Sequence, residues 1–187
     1  DHIVIPSGTG IQLKHGDVTP NKFSIKIKQT GLPSTMPNGT NQFQIRFTGI
    51  PMFKSNYKDG DLVITIYSAG AETKLLGCGI YQGSLLKDVL ITFATTEDYL
   101  AFLHTTWTIE CEFLSDGKLK VTIPELSKTV TSAWIPSLDN AVRPYIVAQS
   151  NLRSPLEIYE ITSSPSESYA DDFSTDTTER YQPVLGT

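Results

Sequence analysis

Glu110 and Glu112 are the first pair in this 187-residue chain whose type and spacing suggest chemistry. On a β-strand, residues two apart share one face, which is how the two carboxylates of a sandwich-type retaining glycosidase are displayed. That reaction needs a proton-holding acid/base beside a nucleophile, with the carboxyls about 5 to 5.5 Å apart. Here the next residue on the same face is Leu114, followed in the chain by Ser115, and Lys120 is placed to neutralise Glu112. A cross-strand ion pair on the surface is the better reading, and the chain is expected not to be an enzyme.

Other reactive types are scattered. His2, His15 and His104 lie far apart, with no HxH, HExxH or His-carboxylate spacing, so no metal set is read. Cys78 and Cys111 fall on the apolar phase of strands and form no CxxC, which favours buried free thiols over a disulfide between them. Asn56, Asp59 and Asp61 could offer oxygens to calcium, but not at EF-hand spacing, and the Asp-Gly pair is already explained by a turn. There is no GxSxG elbow or GxxxxGK[ST] loop, and Gly77, Gly79 and Gly83 miss GxGxxG by one residue, so they are read as marking turns and strand ends; no cofactor is expected. Trp107 and Trp134, with Tyr57 and Tyr81, could stack on sugar rings; packing in the core or against a neighbour is the competing role for each Trp. Asn38-Gly39-Thr40 reads as a glycosylation sequon or a plain turn.

The elements that must carry these residues are strands. Period-two alternation runs through Phe23/Ile25/Ile27, Phe43/Ile45/Phe47, Leu62/Ile64/Ile66, Leu76/Cys78/Ile80, Val89/Ile91/Phe93, Ile109/Cys111/Phe113 and Leu119/Val121/Ile123. Two more candidates lie at Tyr145 to Ala148 and Leu156 to Ile161. The one helical signal is Thr96 to Leu103, with Thr96 as cap and Tyr99, Leu100 and Leu103 facing inward. A three-residue loop at Ser115-Asp116-Gly117 sets Phe113 opposite Leu119, Cys111 opposite Val121, Ile109 opposite Ile123 and Glu112 opposite Lys120. This requires Gly117 in the left-handed conformation of a type I turn with a G1 bulge.

Charge is uneven along the chain. Residues 163–187 hold five acids (Glu167, Asp171, Asp172, Asp176, Glu179) and one base (Arg180), net -4 of the total -5. The remainder is near neutral and carries no basic stripe; Lys22, Lys26 and Lys28 read as a solvated strand face. The Ser/Thr/acid-rich tail has too little apolar area to fold alone, so Tyr169, Phe173 and Tyr181 are expected to anchor it as assembly contacts. No run is long and apolar enough for a membrane span. The chain starts at Asp1 without Met, which is read as an excised fragment or the product of a larger precursor.

Two stretches resemble known proteins. The run Asn41 to Tyr67, with its strand, its link and its aromatic-x-Asp-Gly turn into the next strand, is similar to the middle of the small coat proteins of plant picorna-like viruses of the comovirus and cheravirus type. Thr105-Thr106-Trp107-Thr108-Ile109-Glu110-Cys111-Glu112-Phe113 resembles a late strand of the same subunits. The resemblance implies an eight-stranded jelly roll released from a polyprotein. It also implies assembly with sister coat proteins into a 60-fold, pseudo-T=3 shell formed in the host cytoplasm. Such a shell would enclose genomic RNA without a strong basic contact, and a host receptor or movement protein would be a further partner. The region after Thr129 does not match.

The expectation is therefore an all-β, jelly-roll sandwich over residues 1–162, with an acidic arm over 163–187 and a short extended N-terminal arm. The function implied is a capsid subunit. The rival is a lectin-like receptor-binding head, such as a phage tail-fibre tip, in which Trp134 stacks on glycan.

Overall fold

Alternating burial turns the sequence periodicity into strands, because a pleated chain sends successive side chains to opposite faces. In β3 (Lys22–Gln29), Phe23, Ile25 and Ile27 are buried while Lys22 and Lys26 are exposed. The computed structural model describes residues 1–14, 19–29, 41–49, 60–69, 74–135, 143–150, 155–164, 169–171 and 181–184. In chain order its elements are β1 (Ile3–Ile5), β2 (Gly10–Lys14), β3, β4 (Asn41–Thr48), β5 (Leu62–Ala69), β6 (Leu75–Gln82) and β7 (Ser84–Thr92). There follow α1 (Thr96–His104), β8 (Trp107–Phe113), β9 (Leu119–Ile123), a 3-10 turn (Pro124–Leu126) and β10 (Lys128–Thr131). The last are β11 (Tyr145–Ser150), β12 (Leu156–Ser164), β13 (Tyr169–Asp171) and β14 (Gln182–Val184).

The strands form two antiparallel seven-stranded sheets. The first runs β1-β12-β3-β8-β9-β10, with β13 also paired to β12; the second runs β14-β2-β11-β4-β5-β6-β7. The expected all-β sandwich is present, with fourteen strands among the described residues rather than eight. Alternation marked nine of these strands; the other five (β1, β2, β10, β13, β14) are short, and their few residues give too brief an alternation to stand out in sequence.

The inner faces meet through aromatic rings. Phe47 of β4 stands edge-on to Phe23 of β3 at 5.8 Å and to Phe113 of β8 at 5.1 Å, and Phe43 of β4 meets Trp107 of β8 at 5.8 Å. Edge-to-face pairs of this kind add to the area they bury. Trp107 is fully buried, as the core-packing reading required. The helix closes one end of this core with Tyr99 and Leu103; its cap is Thr95 rather than Thr96, because the Thr95 hydroxyl accepts from the Asp98 amide at 3.0 Å.

Two boundaries move. β12 continues to Ser164, so the sandwich does not end at residue 162. Within the tail, β13 and β14 add to the chain's own sheets, and Tyr181 is buried in the chain's own core. Tyr181 is thus an internal anchor rather than an assembly contact, since a short apolar segment finds its burial on the nearest open strand. Phe173 and the Tyr169 side chain lie outside the described residues.

The β8–β9 hairpin has the expected register: Phe113 pairs with Leu119, Cys111 with Val121 and Glu112 with Lys120. The Gly117 amide donates to the Leu114 carbonyl at 3.1 Å and the Leu114 amide to the Lys118 carbonyl at 2.8 Å, with Gly117 at φ 75°. Only glycine takes that conformation without a Cβ clash. Gly117→Ala should cost about 1 to 2 kcal/mol, read as a lower urea midpoint at unchanged slope. An unaltered midpoint would show that the turn does not depend on it.

Candidate functional site

The outward residues of the first sheet are set in rows by strand pairing. One row runs Ser164, Lys22, Glu112, Lys120 across β12, β3, β8 and β9. The next runs Thr162, Ser24, Glu110, Thr122. Together they line a cleft of about 480 Å³, so both glutamates share it.

Their environments differ sharply. Lys120 Nζ donates to Glu112 Oε2 at 2.9 Å, and Lys22 Nζ lies 3.5 Å from Oε1. The Lys120 hydrogen bond and charge, then the Lys22 charge, hold the Glu112 carboxyl below its ordinary range. A general acid must retain a proton near neutral pH, and Glu112 is pushed the opposite way. Glu110 is exposed, and its side chain makes no hydrogen bond or ion pair among the described residues. Around it the hydroxyls of Ser24, Thr122 and Thr162 supply groups that both donate and accept. Chemically, the cleft offers one committed anion flanked by cations and one open anion flanked by hydroxyls.

Trp134 follows β10 and is 56% exposed, so it is not a core residue. Its flanks are fixed: the Ser132 amide donates to the Leu119 carbonyl and the Ile135 amide to the Gly117 carbonyl, both at 2.8 Å, with Ile135 fully buried. Tyr81 is half-buried on β6; Tyr57 lies outside the described residues.

The other predicted groups do not converge. His2 stacks on Tyr159 at 5.0 Å, His104 closes α1, and His15 lies outside the described residues. Asp61 is buried and acts on the Arg143 guanidinium, which itself donates Nε and Nη2 to the Gly60 carbonyl at 2.9 and 2.8 Å. Asn56, Asp59 and the Asn38 sequon are outside the described residues. Cys78 and Cys111 are free thiols on facing strands of the two sheets, and burial pushes Cys78 up to about 12 and Cys111 well above its usual range.

Sequence reasoning missed the roles of Gly77 and Gly79. They lie inside β6, where Tyr67 and Tyr81 rest against them, rather than at a strand end. Glycine at alternate positions inside an apolar strand was the available signal.

No family model and no curated protein matches the sequence. Among solved structures the chain is similar to toad ovary galectin in complex with thio-digalactose, at 10% identity and TM-score 0.45, covering 84% of this chain and all of that one. It is similar to scytalido-glutamic peptidase at 12% identity and TM-score 0.49, over 96% and 87% of the two chains. It is also similar to Bacillus licheniformis β-glucanase at 13% identity and TM-score 0.43, over 76% of this chain and 64% of that one, so it spans under two thirds of the glucanase. These likenesses concern the sandwich fold alone.

Two measurements check the site's electrostatics. Lys120→Met should raise the Glu112 pKa toward the ordinary glutamate value in a carboxyl NMR titration; no movement would show that the pair does not set it. Because the folded pKa is depressed, the pair stabilises above the unfolded glutamate pKa and is lost as pH falls through the folded value. Ellman's reagent at pH 8 should label neither thiol in the folded protein and both after unfolding in guanidinium; rapid labelling of the native chain would contradict the buried assignment.

Proposed function

We propose that this protein is a non-enzymatic saccharide-binding module whose ligand lies in the cleft on the first sheet. The observation that carries the reading is the open Glu110 carboxylate among the hydroxyls of Ser24, Thr122 and Thr162. A carboxylate accepts from two hydroxyls at once, and neighbouring side-chain hydroxyls can serve either a sugar O–H or its ring oxygen. Lys22 and Lys120 are already drawn to Glu112, which leaves the cleft close to neutral and suited to an uncharged polyol. Trp134 is an exposed indole on a fixed mounting, but it is not among the residues that line the cleft. Net charge of -5 does not favour a phosphate backbone as ligand.

Lactose, cellotetraose and laminaritetraose titrated by calorimetry, after a printed glycan screen, test this directly. Binding to at least one sugar is expected, weakened about tenfold or more by Glu110→Gln, since a charge-assisted hydrogen bond contributes about 1.5 to 3 kcal/mol. Absence of binding to every sugar, or full affinity in Glu110→Gln, would overturn the assignment.

A second reading, a coat subunit of a 60-fold shell enclosing RNA within a virion, is favoured by the two stretches that resemble plant picorna-like coat proteins. Half-exposed Val4 on β1, an edge strand of the first sheet, and Leu85 and Leu90 on β7, an edge strand of the second, give apolar contact points for sister subunits. Deleting residues 163–187 cannot test this reading cleanly, because the deletion would remove β13, β14 and the buried Tyr181. Mass measurement of native material decides it: icosahedral particles support the shell, and a persistent monomer sinks it.

A further inference from the structure

The outer face of the second sheet carries a patch that the cleft does not use. On β6, Leu76, Cys78 and Ile80 point into the core, so Gly77 and Gly79 point outward. A Cβ at Gly77 would come 2.2 Å from Tyr67 Cζ, and one at Gly79 would come 2.6 Å from Tyr81 Cε2. The two rings therefore rest directly on the strand backbone, in space that any larger residue would fill. Pairing places Asp88 opposite Gly79, Leu90 opposite Gly77 and Leu85 opposite Tyr81. The Tyr67 hydroxyl donates to Asp88 Oδ2, while Asp88 Oδ1 is screened from water and has no hydrogen-bond partner among the described residues. The half-buried Asp88 can therefore meet a ligand only through Oδ2, which has a further lone pair beside the Tyr67 hydroxyl. Leu85 and Leu90 are half exposed, whereas on the neighbouring strands Arg46, Thr48, Val63 and Thr65 of the same face are buried. The patch is thus bounded on the β4–β5 side and open toward β7.

We propose that this patch is a second saccharide-binding site, in which the Tyr67 and Tyr81 rings stack against a pyranose and Asp88 accepts one of its hydroxyls. It shares a ligand class with the cleft on the first sheet but none of its residues. The negative faces of phenol rings attract the C–H face of a sugar, and the carboxylate beside them takes a rim hydroxyl. A central carboxylate repels phosphate and sulfate. An extended peptide adding to the sheet edge is disfavoured by β7 itself: its register shifts opposite Ile80 and Tyr81, and Lys87, paired with the core-facing Ile80, brings a charge to the core side of the edge. The Tyr67 phenol is pushed above its usual range by burial and then by Asp88, so it remains a hydrogen-bond donor throughout the physiological pH range.

Amide NMR mapping with lactose, cellotetraose and laminaritetraose tests the proposal on the whole chain. Shifts are expected at Tyr67, Gly77, Gly79, Tyr81 and Asp88, with the affinity read from these signals falling at least tenfold in Tyr81→Ala. Gly77→Ala should do the same without deleting any ligand-contacting side chain, because its methyl displaces the Tyr67 ring. Thermal melting confirms that each variant folds; if Gly77→Ala does not, Tyr81→Ala decides alone. Shifts confined to Ser24, Glu110 and Thr122 would overturn this second site while leaving the first. No shift with any of the three sugars would overturn both, and undiminished affinity at these amides in a folded Tyr81→Ala would overturn this one.

Discussion

Contact between the inner faces of two sheets is the constraint on which everything else in this molecule depends. Phe23, Phe43, Phe47, Trp107 and Phe113 meet across the gap from β3 and β8 on one side and β4 on the other, edge to face. Each of these rings occupies every second position of its strand, so seating them fixes which residues face outward. A slip of one residue would send Phe113 to solvent and Glu112 to the core. The G1 bulge at Gly117 guards against that slip in β8–β9.

Given that register, the outward faces follow. On the first sheet, antiparallel pairing aligns Lys22, Glu112 and Lys120 in one row and Ser24, Glu110 and Thr122 in the next. Two glutamates of identical type and adjacent phase thereby acquire different states, one bound by cations and one open. On the second sheet, glycines at 77 and 79 lower the surface so that Tyr67 and Tyr81 settle onto it. The two surfaces lie on opposite sides of the sandwich and share no side chain, so their chemistry is set independently.

The acidic tail shows how far local composition can mislead. Its Ser, Thr and acid content gives little reason to fold, yet 169–171 and 182–184 extend the sheets and Tyr181 enters the core. Open edges of β12 and β2 supply unpaired backbone groups, and a strand of three residues suffices to satisfy them. Such pairing depends on which edges remain free after the rest has folded, information that no window of sequence contains.

Alternation, with the turn chemistry at Gly117, determined the sandwich class, the principal strands, the β8–β9 register with its Glu112–Lys120 pair, and the burial of Cys78 and Cys111, because burial of every second residue is a local pattern. Only the tertiary structure decided that Glu110 stays open, that Trp134 is exposed while Tyr181 is buried, and that Gly77 and Gly79 underlie two tyrosines. Those outcomes depend on which strands become neighbours across turns and between sheets, and sequence spacing says nothing about partners brought together from Lys22, Glu110 and Thr162 or from Tyr67 and Asp88.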